Sequence, residues 1–187
     1  MKTQILTSII LLVFAFGLNN NNPSNNQDEL EAAPEGYAWQ SLDNVKAFVL
    51  VPDDWFFHAE QKGNTYAYFI TKEDYTKDPN GMFVTGFSIN VFTNMGNNNA
   101  LEYANKFAEQ MQKDNEVIFI KDHEFSNFKG KILRIKNKEQ YIQYMIVANT
   151  KTNKLYLTYF ESSITRWEKN EEFGKTIMDK LALDPEY

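Results

Sequence analysis

Few residues of this chain have types and spacings that could do chemistry. His58 and His123 are its only 2 histidines, and no H-x-H or H-x-x-x-H pattern lets two imidazoles converge on one metal ion. Asp122 and Glu124 flank His123. Neighbours in a strand point to opposite faces, however, so the two carboxylates cannot both orient the ring, and a triad built there is not expected. Both histidines are therefore expected to be structural or surface residues rather than general bases. The loop 73–81 offers a second chemistry, because Asp74, Asp78, Asn80 and Gly81 bring oxygen donors together. It lacks the alternation and closing bidentate glutamate of an EF-hand loop, and Asp78-Pro79-Asn80-Gly81 is a favourable β-turn. A turn is expected, with calcium binding as the alternative.

Nucleophiles are equally scarce. Ser88, Ser126, Ser162 and Ser163 have no G-x-S-x-G context, and no glycine loop is arranged to cradle phosphate. The cysteine count of 0 excludes disulfides, thiolate zinc sites and cysteine nucleophiles together. No catalytic residue, cofactor-binding residue or metal ligand is assigned, and the chain is not expected to be an enzyme. The net charge is −6, with no basic block. Nucleic-acid binding, which works by displacing counterions with clustered Lys and Arg, is therefore not expected.

Aromatic residues carry the remaining signal, with 15 Phe, 10 Tyr and 3 Trp. Most are expected to fill the core. Phe56, Phe57, Tyr66, Tyr68, Tyr141, Tyr144, Tyr156 and Tyr159, however, fall on strands whose two faces cannot both be covered by two helices. A partly open aromatic sheet face would bind an apolar ligand or a protein partner.

The elements that position these side chains are read from periodicity. Alternation predicts strands over 47–51, 55–61, 65–70 and 83–92, with Gly63-Asn64 forming a tight hairpin turn between the second and third. Further strands are predicted over 116–121, 130–135, 141–149 and 154–161, separated by turns at 127–129, 137–139 and 150–153. Connections this short force antiparallel neighbours. Ala100, Leu101, Ala104, Phe107, Ala108 and Met111 recur at helical spacing behind Asn99, which caps with Glu102, and the helix ends near Asp114. A second helix is predicted from a Thr165–Glu168 capping box. It would bury Phe173, Ile177 and Leu181 and stop before Pro185.

The N-terminal segment 1–17 reads as an export signal: Lys2, an apolar run from Ile5 to Leu18, and small residues Ala15 and Gly17 before a cut at Leu18. The run falls short of the roughly 20 apolar residues of a membrane span, so cleavage is expected, with a retained anchor as the alternative. Residues 18–36 form an Asn-rich linker with little to bury, and residues 37–187 form one domain. The one-lysine, short-core, polar-tether layout also resembles bacterial lipoprotein signals. Leu18 stands where such signals place their cysteine, so the chain departs from that pattern.

The order of elements resembles the PsbP/Mog1-like fold family, the fold shared by the photosystem extrinsic protein PsbP and the Ran-binding protein Mog1. The resemblance is carried by Pro52-Asp53-Asp54-Trp55 after an early strand, then a hairpin, a strand, the helix over 100–114, a meander and a C-terminal helix. It covers about Ala38 to Leu183. It implies an α+β fold, an antiparallel sheet flanked by helices in an α/β/α sandwich, and a non-enzymatic binding or assembly role. The expected protein is thus an exported binding module of the bacterial cell envelope, periplasmic or at the cell surface. Its partner would be an envelope protein or a small apolar ligand, and its N-terminal segment would associate it with the membrane. The alternative is an envelope enzyme or calcium-dependent protein using loop 73–81 and His123.

Overall fold

Buried and more exposed side chains alternate along 116–125 and 154–163, whereas 86–92 and 140–149 are largely buried on both faces. The computed structural model describes residues 30–78 and 83–187. The chain divides into two units, 1–32 and 33–187, and the second holds every element below. The export segment 1–17, the linker up to residue 29 and Pro79 to Met82 lie outside the described residues. Among the described residues no helix is long and apolar enough to cross a membrane.

Ten strands and two helices follow one another as β1 (Tyr37–Leu42), β2 (Ala47–Pro52), β3 (Phe56–Lys62), β4 (Thr65–Thr71), β5 (Gly86–Phe92), α1 (Ala100–Asp114), β6 (Glu116–Phe125), β7 (Phe128–Lys136), β8 (Gln140–Asn149), β9 (Lys154–Ser163), α2 (Trp167–Asp179) and β10 (Ala182–Leu183). All strand pairs are antiparallel. A seven-stranded sheet has the order β3-β4-β5-β9-β8-β7-β6, and a three-stranded sheet the order β1-β2-β10. The predicted α+β class holds. The small sheet is an addition, since its last strand is two residues long and pairs with β2 from the far end of the sequence.

Several boundaries differ from expectation, and four have a visible reason. The strand predicted from Phe83 begins at Gly86, because the Glu73 carboxylate accepts the backbone N–H groups of Val84 and Thr85 at 3.3 and 3.0 Å and takes them out of the ladder. The turn predicted at 127–129 is instead Ser126-Asn127, with Ser126 in the left-handed region at φ 47°. Phe128 is drawn into β7 because its ring is wholly buried between Phe125 and Tyr156, at centroid distances of 4.9 and 5.4 Å. The Thr165 capping box does not form. A 3-10 turn occupies Ile164–Arg166 and α2 starts at Trp167 without a side-chain cap. Burial of the Trp167 indole against Phe160 and Tyr141 fixes that start. The helix also ends at Asp179, short of Pro185, and the chain turns to pair Ala182–Leu183 with β2.

Helix α1 begins as its sequence demands: Asn99 Oδ1 accepts the Glu102 N–H at 3.0 Å, satisfying one donor that a helix leaves open. Asn99→Ala is expected to cost about 1 kcal/mol in urea unfolding; a loss indistinguishable from zero would show that the Asn153 side chain, which accepts the Ala100 N–H at 2.8 Å, suffices alone.

The large sheet has two unlike faces. On one, Tyr68, Ile70, Phe87, Ile89, Val91, Tyr156 and Phe160 are buried under Ile177 and Met178 of α2 and under Leu42, Ala47 and Val49 of the small sheet. Trp55 enters this core from the turn after Pro52, its N–H donating to the Pro52 carbonyl at 3.0 Å and its ring 5.4 Å from Phe173. On the other face Ala100, Ala104 and Ala108 let α1 lie close on Leu133, Ile135, Tyr144, Ile146 and Leu155. Its contacts fall on β7, β8 and β9. The helix leaves the β3-β4-β5 part of that face without a helical cover.

Candidate binding face

Cross-strand partners share a face, so the registers give the composition of this half-covered surface row by row. One row runs His58, Phe69, Ser88, Tyr159, Tyr144, Leu133 across six strands. The row on one side runs Phe56, Thr71, Gly86, Glu161, Ile142, and the row on the other runs Glu60, Ala67, Asn90, Leu157, Ile146. Helix α1 covers the Tyr144 end, where Phe107 meets Tyr144 edge-on at 5.7 Å. Phe56 at the far end is 40% exposed, and Phe69, Asn90, Leu157, Tyr159 and Glu161 between them are half-buried.

The segment after β4 turns back over one rim. Tyr75, in a 3-10 turn, packs against His58 at 4.9 Å, Phe69 at 5.6 Å and Phe83 at 6.1 Å. Phe83 occupies the space above Gly86, where a Cβ would stand 2.7 Å from its ring. The segment is tied at both ends. Glu73 holds the Val84 and Thr85 amides and pairs with Arg166 at 3.2 Å, while Lys72 donates to Asn170 and Asn170 to Ser162, at 3.3 and 3.2 Å. The Tyr75 hydroxyl donates to Glu60 at 3.2 Å, and its pKa is pushed up to about 12 by burial first and by the Glu60 charge second.

Glu161 is the electrostatic oddity of this face. Burial raises its pKa from the ordinary 4.5 to about 7, against a hydrogen bond from Gln140 that pulls the other way. Burial likewise raises the Tyr144 and Tyr159 hydroxyls, with the Glu161 charge adding to both. The Tyr159 hydroxyl stands beside Ser88, whose Oγ is buried without a well-formed hydrogen bond. A carboxyl, two phenols and an unsatisfied hydroxyl thus lie together on this face.

The predicted aromatic set does not form one face. Phe57, Tyr66, Tyr68, Tyr141 and Tyr156 lie on the α2 side within or against the core, and only Phe56, Tyr144 and Tyr159 share the face described here. Strand alternation together with turn length separates them, so membership follows from register rather than residue type. The face gains Phe69, Tyr75, Phe83 and Glu161, none of which was singled out as a face residue. Glu161 left a signal: it continues the Leu155, Leu157, Tyr159 series, a carboxyl on the apolar side of a strand.

Histidine and loop chemistry come apart in the structure. His123 lies on the α2 side beside Phe125 at 5.1 Å, with its pKa lowered by burial and by Lys121. Asp122 and Glu124 point away from it to Lys131 at 2.6 Å and Lys129 at 2.8 Å. Asp74 pairs with Lys77 at 2.8 Å and lies 3.8 Å from His58 Nε2, while Glu73 faces Arg166 and the backbone. Asn80 and Gly81 lie outside the described residues. Loop 73–81 adjoins β3 and β4, and His123 is on β6 at the opposite end of the sheet. One site built from both has no geometry to support it. Among the described residues no three metal-binding side chains converge.

Two hollows open elsewhere. One of about 560 Å³ lies between Lys113–Glu116 and Lys136–Lys138, and one of about 280 Å³ is lined by Leu101, Asn105 and the ion-paired Asp122, Glu124, Lys129 and Lys131. Both are polar and wide open, unlike the enclosed apolar pockets that small ligands favour. The aromatic face belongs to neither.

No family model and no curated protein matches the chain. Among solved structures, the solution structure of cyanobacterial PsbP (CyanoP) from Synechocystis sp. PCC 6803 is similar, with a TM-score of 0.51 and 11% identity over 82% of this chain and 96% of that one. That likeness, over most of both chains, gives the domain a PsbP-like α+β fold.

Proposed function

We propose that this domain is a non-catalytic binding or assembly module of the bacterial cell envelope, and that an envelope protein docks on the β3-β4-β5 part of the α1-side face. The observation that carries this reading is the half-roofed surface of Phe56, Phe69, Tyr75, Phe83 and Tyr159, beside which Glu73 holds the Val84 and Thr85 amides and Lys72 holds Asn170. A broad aromatic surface suits a protein partner better than a small apolar ligand, which prefers enclosure. Glu161 supports the same reading, since a carboxyl kept on an apolar strand face where burial penalises its charge is a candidate functional group. Export rests on Lys2 and the Ile5–Leu18 run, and the linker 18–36 separates the domain from that segment.

Crosslinking pull-down of the full-length chain from envelope fractions of its source tests this. One stoichiometric envelope protein is expected, with capture reduced about tenfold, on the order of a single hot-spot loss, by Asn90→Arg, which sets a long cation in the middle of the face. Equal capture by the variant, or recovery from the cytoplasmic fraction alone, would sink the proposal.

A further inference from the structure

The two ends of the seven-stranded sheet are built differently. At one end β6 carries a register shift between Val117 and Phe119, and Lys121, Asp122 and Glu124 stand exposed along it. A bulge of this kind discourages pairing with a further strand; charges do not set the two ends apart, since β3 also exposes Glu60 and Lys62. At the other end β3 keeps an unbroken register with β4 from Phe56↔Thr71 to Lys62↔Thr65, and it has neither proline nor bulge. Among the described residues it pairs with β4 alone, which leaves its outer main-chain groups without a ladder.

The sequence of β3 is complementary to itself. Laid antiparallel against a second copy about Ala59, His58 stands opposite Glu60, Phe56 opposite Lys62, and Phe57 opposite Gln61, so all 7 residues of the strand find partners. Because the midpoint falls on a residue, every pair shares a face and a main-chain direction. Ala59, which meets its own copy at the axis, is exposed and small. An imidazole facing a carboxylate and an ammonium facing an aromatic ring are favourable cross-strand pairs, whereas like charges opposite one another are not. Both polar side chains meet Tyr75: the His58 ring packs edge-on against it at 4.9 Å, and Glu60 accepts its hydroxyl. Phe56, at the end of the strand, is 40% exposed.

We infer that β3 is a homotypic interface, through which two copies pair about a two-fold axis at Ala59 to make one sheet continuous across both. The axis stands perpendicular to the sheet, so the α1-side faces of the two copies lie on the same side. Their aromatic surfaces then adjoin, with Phe56 of each copy at the seam against Lys62 of the other.

Analytical ultracentrifugation of the full chain tests this. A single strand pair buries little surface and belongs to the weak class of interfaces, so a dimer is expected at about 100 μM that dissociates on dilution. Phe56→Lys places a lysine opposite Lys62 and is expected to weaken association at least tenfold. The double variant Phe56→Lys/Lys62→Glu swaps the charges and is expected to restore it. Both positions are exposed, and far-UV circular dichroism checks that the fold is intact. The inference is overturned by a wild type that stays monomeric at about 100 μM, by a dimer that Phe56→Lys leaves unchanged, or by a double variant that does not recover.

Discussion

Replacing Gly130 by alanine is expected to destabilise the domain by about 3 kcal/mol or more, as severe overpacking against backbone does. Gly130 lies in β7 opposite Val147 of β8. A Cβ at this position would stand 1.9 Å from the Ile146 carbonyl oxygen and 2.9 Å from Val147 Cα. Both are main-chain atoms of the neighbouring strand, so no rotamer change relieves the clash. The β7–β8 ladder must separate, and with it the surface on which α1 packs. Gly174 makes a useful comparison. Its added Cβ would stand 2.2 Å from the Phe160 ring, a side chain that is itself held against Trp167 at 5.5 Å. Alanine there regains about 1 kcal/mol of helix propensity, so a smaller net loss of about 2 kcal/mol is expected. Urea unfolding of both variants checks the order. A Gly130→Ala protein within about 1 kcal/mol of wild type would mean that β7 and β8 are not packed as described.

Glu161→Gln is expected to stabilise the protein, by an amount that depends on pH in a way that identifies the group. The folded carboxyl has its pKa raised from 4.5 to about 7, mainly by burial. Between those values the folded protein holds a proton that the unfolded chain releases, so wild-type stability falls as pH rises through the window and levels off above it. The penalty for charging a half-buried carboxyl here is about 2 kcal/mol. The variant therefore gains about that much at pH 8, while near pH 4 both side chains are neutral and the gain disappears. Denaturation curves for the two proteins across this range decide the matter. An offset independent of pH would show that Glu161 is stabilised or destabilised by packing rather than by its charge.

Local signals were the legible ones. The Gly63-Asn64 hairpin needs a positive φ, which Gly63 supplies at 59°, and the Asn99 cap requires only a donor three residues on. The meander from β6 to β9 follows from alternation and short turns. What escaped reading depends on distant partners. The start of α2 was decided by where Trp167 could be buried, a tertiary matter that outweighed the Thr165–Glu168 pattern. The small sheet joins Ala182–Leu183 to β2 across most of the sequence. The candidate face was legible only in kind. Aromatic abundance announced a surface too large for two helices to cover, but the registers that sort Phe56 and Tyr159 from Tyr68 and Tyr156 exist only once seven strands are aligned. The role of residues 72–78 and 83–85 as a rim was hidden by their turn-forming composition, which says where the chain bends and not what it bends over.

Site-specific photo-crosslinking in the source cell tests the docking face most directly. A benzoylphenylalanine at Asn90, in the middle of the face, is compared with one at Tyr103, which is 45% exposed on the outer side of α1. The account predicts that the Asn90 position traps one envelope protein and the Tyr103 position does not. Equal trapping from both positions, or trapping from Tyr103 alone, would place the partner elsewhere and contradict it.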